Sequence, residues 1–162
     1  AEACWLAVMQ RKLGLQQSRS DDRELVTQLF TFMQKAQADF TLTFRRLASA
    51  AEADDPGRAL SDLLGNSSDL ESWIIAWRRR LADENVSPGA AAERLRRTNP
   101  AVIPRNHCVE QALAAAVTHG DFAPFDQLLE RVTQPFDSGG ESLPEAMPPA
   151  PEERVRQTFC GT

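Results

Sequence analysis

The sequence predicts an all-α protein. Apolar residues recur at helical spacing in successive segments, caps and helix breakers separate those segments, and no segment shows the apolar-polar alternation of a strand. A chain of 162 residues can also bury roughly 70% of its unfolded surface, which is enough for its own core. We therefore expect an array of six or seven helices followed by an extended tail rich in proline and glycine.

The first part of the chain predicts three helices and one short apolar segment. The apolar face of the first helix comprises Trp5, Leu6, Met9 and Leu13. Gly14 ends this helix. Asp21 with Glu24 predicts a capping box for the second helix, and Asp39 predicts the N-cap of the third. Residues 58–64 are predicted as a turn or a short helix.

The next segment predicts a central helix and a shorter one. Ser68 and Glu71 predict a capping box at the start of the central helix. Its apolar face comprises Leu70, Trp73, Ile74, Trp77 and Leu81. Two tryptophans on one helical face favour core packing over ligand stacking. Ser87 followed by Pro88 predicts a cap with proline at the first position of the shorter helix, which ends at Asn99.

The stretch that follows predicts a helical hairpin. Apolar residues recur on one face of each helix: Val109, Leu113, Ala116 and Val117, then Phe122, Phe125, Leu129 and Val132. Gly120 can take the left-handed conformation that closes the first helix, and Asp121 is the predicted N-cap of the second. This hairpin is the organising element of the chain.

Beyond Gln134 the composition changes to a proline- and glycine-rich segment with no apolar period. Such a segment should lie extended on the surface or be mobile. The predicted organisation is a helical domain over residues 1–134 and an extended tail over residues 135–162. Because Ala1 falls inside an apolar-periodic helix, we also expect the natural protein to extend upstream.

The net charge of −5 and the pI near 5.1 argue against a nucleic-acid or anionic-membrane partner, because phosphates need a basic surface. Arginines cluster at 78–80 and at 94–97, where a solvated helix face is favoured over a phosphate site. No apolar run approaches the ~20 residues of a membrane span. Three widely spaced cysteines are not a disulfide framework, so a reducing cytoplasm is the expected location.

The sequence offers no catalytic residue and no metal site. It lacks a glycine-rich phosphate loop, and its two lysines, Lys12 and Lys35, lack the neighbours that phosphoryl or nucleotidyl transfer requires. His107 and Cys108 are adjacent, so we expect them to point to different helical faces. We therefore interpret Cys108 as a small apolar residue, and His107 and His119 as structural.

Three residues remain candidates for a functional contact. Arg105 and Asn106 follow Pro104, and either they hold the hairpin against a neighbouring domain or they form a solvent-exposed helix start. Cys160 lies near the terminus, where an accessible thiol suits redox exchange.

Several stretches resemble the C-terminal part of the selenoprotein O family. The most specific are "NPAVIPRNHCVEQALAAAVTHGDFAPFDQLLERVTQPFD" and the ending "RVRQTFCGT". The earlier stretches "CWLAVMQRKLGL" and "LFTFMQKAQADFTLTFRRL" resemble the helices that follow the kinase-like core of that family. Family members are similar in carrying a cysteine or selenocysteine near the terminus, which corresponds here to Cys160.

The resemblance implies that the complete protein is an adenylyltransferase with a kinase-like fold. It would transfer AMP from ATP to Ser, Thr or Tyr hydroxyls of other proteins, with Mg or Mn ions as cofactors. The resemblance places the catalytic residues in an upstream kinase-like domain, which would be a partner of this region, as would the protein substrates. Cys160 could form a disulfide with a thiol of that domain. The alternative is a stand-alone helical module that binds a partner protein.

Overall fold

The computed structural model describes residues 2–137, 139–150 and 153. Within them the chain is all-α, as predicted, with eight α-helices and no strand. The helices are α1 Glu2–Lys12, α2 Asp22–Ala36, α3 Phe40–Glu52, α4 Pro56–Leu64, α5 Ser68–Ala82, α6 Pro88–Thr98, α7 Asn106–His119 and α8 Ala123–Thr133. Two 3-10 turns follow, Gly140–Ser142 and Pro144–Ala146. Residues 58–64, which the sequence predicts as a turn or a short helix, lie in a helix, α4.

The chain divides into two compact units, Ala1–Pro100 and Ala101–Thr162. The first contains α1 to α6, and the second contains the α7–α8 hairpin and the 3-10 turns. The helices end at Thr133, and the predicted domain boundary after Gln134 stays a prediction.

The core of the first unit is built around α5. All five apolar residues predicted for its face are buried: Leu70, Trp73, Ile74, Trp77 and Leu81. The rings of Trp73 and Trp77 stack with centroids 5.6 Å apart. Their indole N–H groups donate to the carbonyl oxygens of Leu25 and Leu13, each at 2.9 Å. Each buried tryptophan thus has a satisfied polar atom, which confirms the packing role.

Two of the predicted caps form as expected. Asp39 Oδ1 accepts the Leu42 N–H at 2.8 Å, and Ser87 Oγ accepts the Ala90 N–H at 3.3 Å. Pro88 occupies the first position of α6.

One predicted cap is displaced by one residue, and one predicted capping box does not form. Ser67, not Ser68, caps α5 by accepting the Leu70 N–H at 3.2 Å. The side chain of Asp21 makes no capping hydrogen bond, so the predicted capping box of α2 is wrong. Its neighbour Asp22 accepts the Arg19 N–H at 2.9 Å and is completely buried.

Asp22 belongs to a buried polar network that fixes the loop between α1 and α2. Its carboxylate accepts from Gln10 Nε2 at 2.9 Å and from Arg80 Nε at 2.7 Å. Glu84 accepts the N–H groups of Gln16 at 3.0 Å and Gln17 at 2.9 Å. The loop between α1 and α2 is thereby held by the charged side chains of Asp22 at the start of α2 and Glu84 just after α5.

Arginines from both predicted clusters complete this network, so their interpretation as a solvated face is wrong for part of the set. Only 5% of the Arg80 side chain is exposed, and it also donates to the Gln17 carbonyl oxygen. Arg94 donates to the Gly14 carbonyl oxygen at 2.8 Å and to Glu84 Oε2 at 3.0 Å. Burial opposes the charge of Arg80, but Asp22 and Glu84 outweigh it and raise its pKa.

In the second unit the hairpin turns largely as predicted. Gly120 has φ of +64°, a conformation that glycine adopts without strain, and its N–H donates to the Ala116 carbonyl oxygen at 3.1 Å. Phe122, not Asp121, occupies the N-cap position of α8. Asp121 nevertheless accepts the Ala123 N–H at 3.0 Å through Oδ1.

The described part of the proline-rich segment is folded against its own unit. Ala146 is completely buried, in a small apolar cluster with Ala101 and Val102. The Ala101 N–H donates to the Pro135 carbonyl oxygen at 2.6 Å. Residues 139–150 therefore contain short turns that bury a few apolar side chains against Ala101 and Val102.

Candidate functional site

The second unit contains a cleft between α7, α8 and the turn Pro144–Ala146. Its volume is about 360 Å³. The lining residues are His107, Cys108, Gln111, Ala112, Pro124, Gln127, Leu128, Pro144, Glu145, Met147, Pro148 and Glu153. Apolar side chains form part of its wall, while carboxylate, amide, imidazole and thiol groups converge on it. A concave surface on which polar groups converge is a candidate binding site.

Arg105, a predicted contact residue, lies at the entry to α7 and is 7% exposed. Its Nη2 donates to the Ala146 carbonyl oxygen at 2.8 Å. The guanidinium therefore ties the start of the hairpin to the second 3-10 turn. Asn106 is the first residue of α7 and is exposed. Whether either residue also contacts a neighbouring domain stays a prediction.

His107 and Cys108 do not diverge, contrary to the expectation from helix geometry. Cys108 Sγ lies 3.3 Å from His107 Nε2, and both side chains are partly buried. The expectation is wrong because both residues lie in the first turn of α7, where their side chains can turn towards the same cleft.

The electrostatics of the cleft disfavour a thiolate. Burial raises the pKa of the Cys108 thiol, and the nearby carboxylates of Glu145 and Glu153 raise it further, against a smaller opposing effect of Arg105. A thiol with a raised pKa stays protonated at neutral pH and is a poor nucleophile. Burial and these two carboxylates therefore favour the protonated thiol over the thiolate at Cys108.

Two acidic residues of the cleft were missed by sequence reasoning. Glu145 Oε1 accepts from Gln127 Nε2 at 2.7 Å, and Glu153 Oε1 accepts from Gln111 Nε2 at 3.0 Å. Both carboxylates come from the proline-rich segment, which carries no periodic signal. Only its folding against α7 and α8 shows that they belong to a site.

The described residues lack the clustered side chains of a metal site. Within this part of the chain there is no group of three or more His, Cys, Asp or Glu side chains that could hold a metal ion. No helix of the same part is both long and apolar enough to cross a membrane.

Cys160, the redox candidate, lies outside the described residues. The other two cysteines, Cys4 and Cys108, are free thiols.

The hairpin also presents apolar side chains to solvent. The exposed fractions are 48% for Leu113, 86% for Val117, 60% for Phe122, 45% for Phe125 and 49% for Leu129. These five residues, termed the outer face below, belong to the apolar periodicity that predicted the hairpin. The periodicity identified the helices correctly, but most of the face is not covered by the residues that the structure describes.

Comparison with known proteins gives one consistent result. The sequence profile of protein adenylyltransferase SelO matches residues 2–133. Two curated relatives, both called protein nucleotidyltransferase YdiU, come from Rhizobium etli (strain CIAT 652) and Rhizobium meliloti (strain 1021). They are 47% and 46% identical over 98% of this chain, which spans 32% of the length of each. The chain therefore belongs to the SelO family of protein nucleotidyltransferases.

Proposed function

We propose that this chain is the C-terminal helical region of a SelO-type protein adenylyltransferase, and that its own role is structural and regulatory. The complete protein transfers AMP from ATP to Ser, Thr or Tyr hydroxyls of protein substrates in the cytoplasm. ATP and a Mg or Mn ion bind to a kinase-like domain in the remaining length of the protein. The observation that carries this proposal is the family membership of a chain that spans only 32% of its relatives.

The position of the two lysines supports this division of roles. The ammonium group of Lys12 makes its contacts within the first unit. Its Nζ donates to Asn99 Oδ1 at 3.3 Å and lies 5.4 Å from the centroid of the Phe44 ring. Burial lowers the pKa of Lys12, as expected for an ammonium group packed against rings. Lys35 lies in the last turn of α2, where a cation favours the helix dipole.

Calorimetry of the chain alone tests the non-catalytic role. We expect no saturable heat when Mg-ATP is titrated into the chain at micromolar concentrations. A stoichiometric isotherm with a micromolar dissociation constant would contradict the proposal. Circular dichroism of the same sample should show the helical spectrum, so that a missing isotherm cannot be attributed to unfolding.

Cys160 is proposed as the regulatory element of the complete protein. Thiol-disulfide exchange with a disulfide oxidant would join Cys160 to a thiol of the kinase-like domain. The two protein thiols lose two protons and two electrons and form the S–S bond, and the disulfide oxidant is reduced to two thiols. Such a bridge needs the two Cα atoms within about 7 Å. The test compares AMP transfer by the complete protein with and without reductant, in the natural sequence and in Cys160→Ser. If reductant changes nothing, or changes both proteins equally, Cys160 is not the switch.

A helical protein-binding module is the second candidate, and the outer face favours it. Contiguous apolar side chains on a protein surface often mark a site of interaction with another molecule. The coding sequence upstream of Ala1 distinguishes the two functions. A kinase-like domain with a glycine-rich loop supports the transferase, whereas a start codon immediately before Ala1 supports the independent module.

A further inference from the structure

The outer face lies on the side of the hairpin opposite the cleft. On α7 the cleft is lined by residues 107, 108, 111 and 112, and on α8 by 124, 127 and 128. With 3.6 residues per turn, Leu113 and Val117 lie about 150–170° around α7 from the centre of those positions. Phe125 and Leu129 lie about 110–150° around α8 from the cleft side, and Phe122 occupies the N-cap position just before the helix. Both helices therefore direct their exposed apolar side chains away from the cleft.

The five side chains also fall at matching levels along the hairpin. Leu113 and Leu129 are each eight residues from Asp121 in the turn, and Val117 and Phe125 are each four residues from it. In two antiparallel helices, equal distance from the turn means equal height, at ~1.5 Å per residue. The outer face is thus two apolar pairs with Phe122 at the turn, rather than scattered single residues.

Carboxylates lie beside this apolar surface, since Glu110, Asp121 and Asp126 are each three or four residues from one of its members. Glu110, Asp121, Asp126 and Glu130 are exposed on the hairpin. The one arginine of the two helices, Arg131, is only partly exposed. A partner surface complementary to the outer face is therefore apolar at its centre and basic at its rim. A second copy of the same hairpin does not meet this requirement, because it would bring two acidic rims together.

We propose that the outer face docks on the remaining two thirds of the SelO-family protein, on an apolar surface with a basic rim. Two observations carry this: the acidic rim selects an unlike surface, and the chain spans 32% of its relatives, which leaves a large polypeptide in the same molecule. A covalently connected partner is present at high effective concentration, which lowers the affinity that the contact itself must supply. The inference rests on the part of the proposed function that makes this chain one region of a longer protein.

Cysteine labelling tests the docking. Val117→Cys retains a small apolar side chain at the most exposed position of the outer face. Thr118→Cys is the matched control, since Thr118 is the next residue and is also exposed. The rate of maleimide modification at each site is measured by peptide mass spectrometry, which separates these sites from the natural cysteines. Both variants are prepared in this chain alone and in the complete protein.

We expect both cysteines to react at similar rates in this chain alone. In the complete protein the cysteine at 117 should react at least about tenfold more slowly, because a face that is open for a tenth of the time reacts at a tenth of the rate, while the one at 118 is unchanged.

Three results would overturn the docking: equal rates at 117 in both proteins, equal slowing at 117 and 118, or protection at 117 already in this chain alone. Protection in the chain alone that increases with protein concentration would identify a second copy as the occupant instead. AMP transfer by the complete protein is measured separately. If the cysteine at 117 is protected but the complete protein transfers no AMP, the docking is supported and the proposed function is refuted.

Discussion

Replacing Asp22 tests the buried network that organises the first unit. The Asp22 carboxylate is completely buried and accepts four hydrogen bonds, from Gln10, from the Arg19 N–H and from two nitrogens of Arg80. Asp22→Ala removes all four and leaves the Arg80 guanidinium buried without its main partner. Breaking a buried ion pair on one side costs about 3–5 kcal/mol.

We place the expected loss for Asp22→Ala near the lower end, at about 3 kcal/mol. The reason is that Glu84 Oε1 still accepts from Arg80 Nη1 at 3.2 Å. Against a typical free energy of unfolding of about 5–15 kcal/mol, this lowers the midpoint of urea denaturation markedly. The unfolding can be followed by the fluorescence of Trp73 and Trp77, which are buried in the same unit.

The neighbouring Asp21→Ala provides the matched control. Asp21 is exposed and its side chain makes no capping hydrogen bond, so its replacement should change the free energy of unfolding by about 0.5 kcal/mol or less. The double variant Asp22→Leu with Arg80→Met should cost less than Asp22→Ala, because it removes both charges together. A loss below about 1 kcal/mol for Asp22→Ala, or equal losses for the two aspartates, would refute the network as described.

Three further predictions concern the core, the network and the cleft. Trp77→Ala should lower the free energy of unfolding by about 3–5 kcal/mol in urea denaturation, because it empties a fully buried site; a loss below about 1 kcal/mol would contradict the core placement. Burial opposes the charge of Glu84, but the N–H groups of the loop and two arginines outweigh it and lower its pKa. The contribution of Glu84 to the free energy of unfolding is therefore complete above the ordinary glutamate pKa of about 4.3, and it is lost as the pH falls through the lower pKa of the folded protein. Measuring the free energy of unfolding against pH in acid should show this loss, and Glu84→Gln should abolish it. Iodoacetamide at neutral pH should modify the exposed Cys4 faster than Cys108, whose pKa is raised; equal rates by peptide mass spectrometry would argue against the described cleft.

Local signals predicted most of the helices. Ser87 with Pro88, Asp39 and Gly120 act over three or four residues, so their effects are readable from the sequence. The cap of α5 is Ser67 rather than the adjacent Ser68, because two neighbouring serines have the same capping tendency and local sequence does not distinguish them.

Long-range contacts account for what the sequence did not predict. Asp22 and Arg80 are 58 residues apart, and no local pattern pairs a carboxylate in one helix with an arginine in another. The cleft carboxylates Glu145 and Glu153 lie in a segment whose composition predicts mobility. The outer face shows the opposite case, since periodicity predicts which residues are apolar but not what covers them.

The central claim is that this chain is the helical, non-catalytic region of a protein adenylyltransferase. The most direct test incubates ATP labelled on its α-phosphate with Mg or Mn and candidate protein substrates. Three proteins are compared: the complete protein, this chain alone, and the complete protein without this chain. We predict transfer of label to protein by the complete protein and none by this chain. Label transferred by this chain alone, or no transfer by an intact and folded complete protein, would contradict the claim.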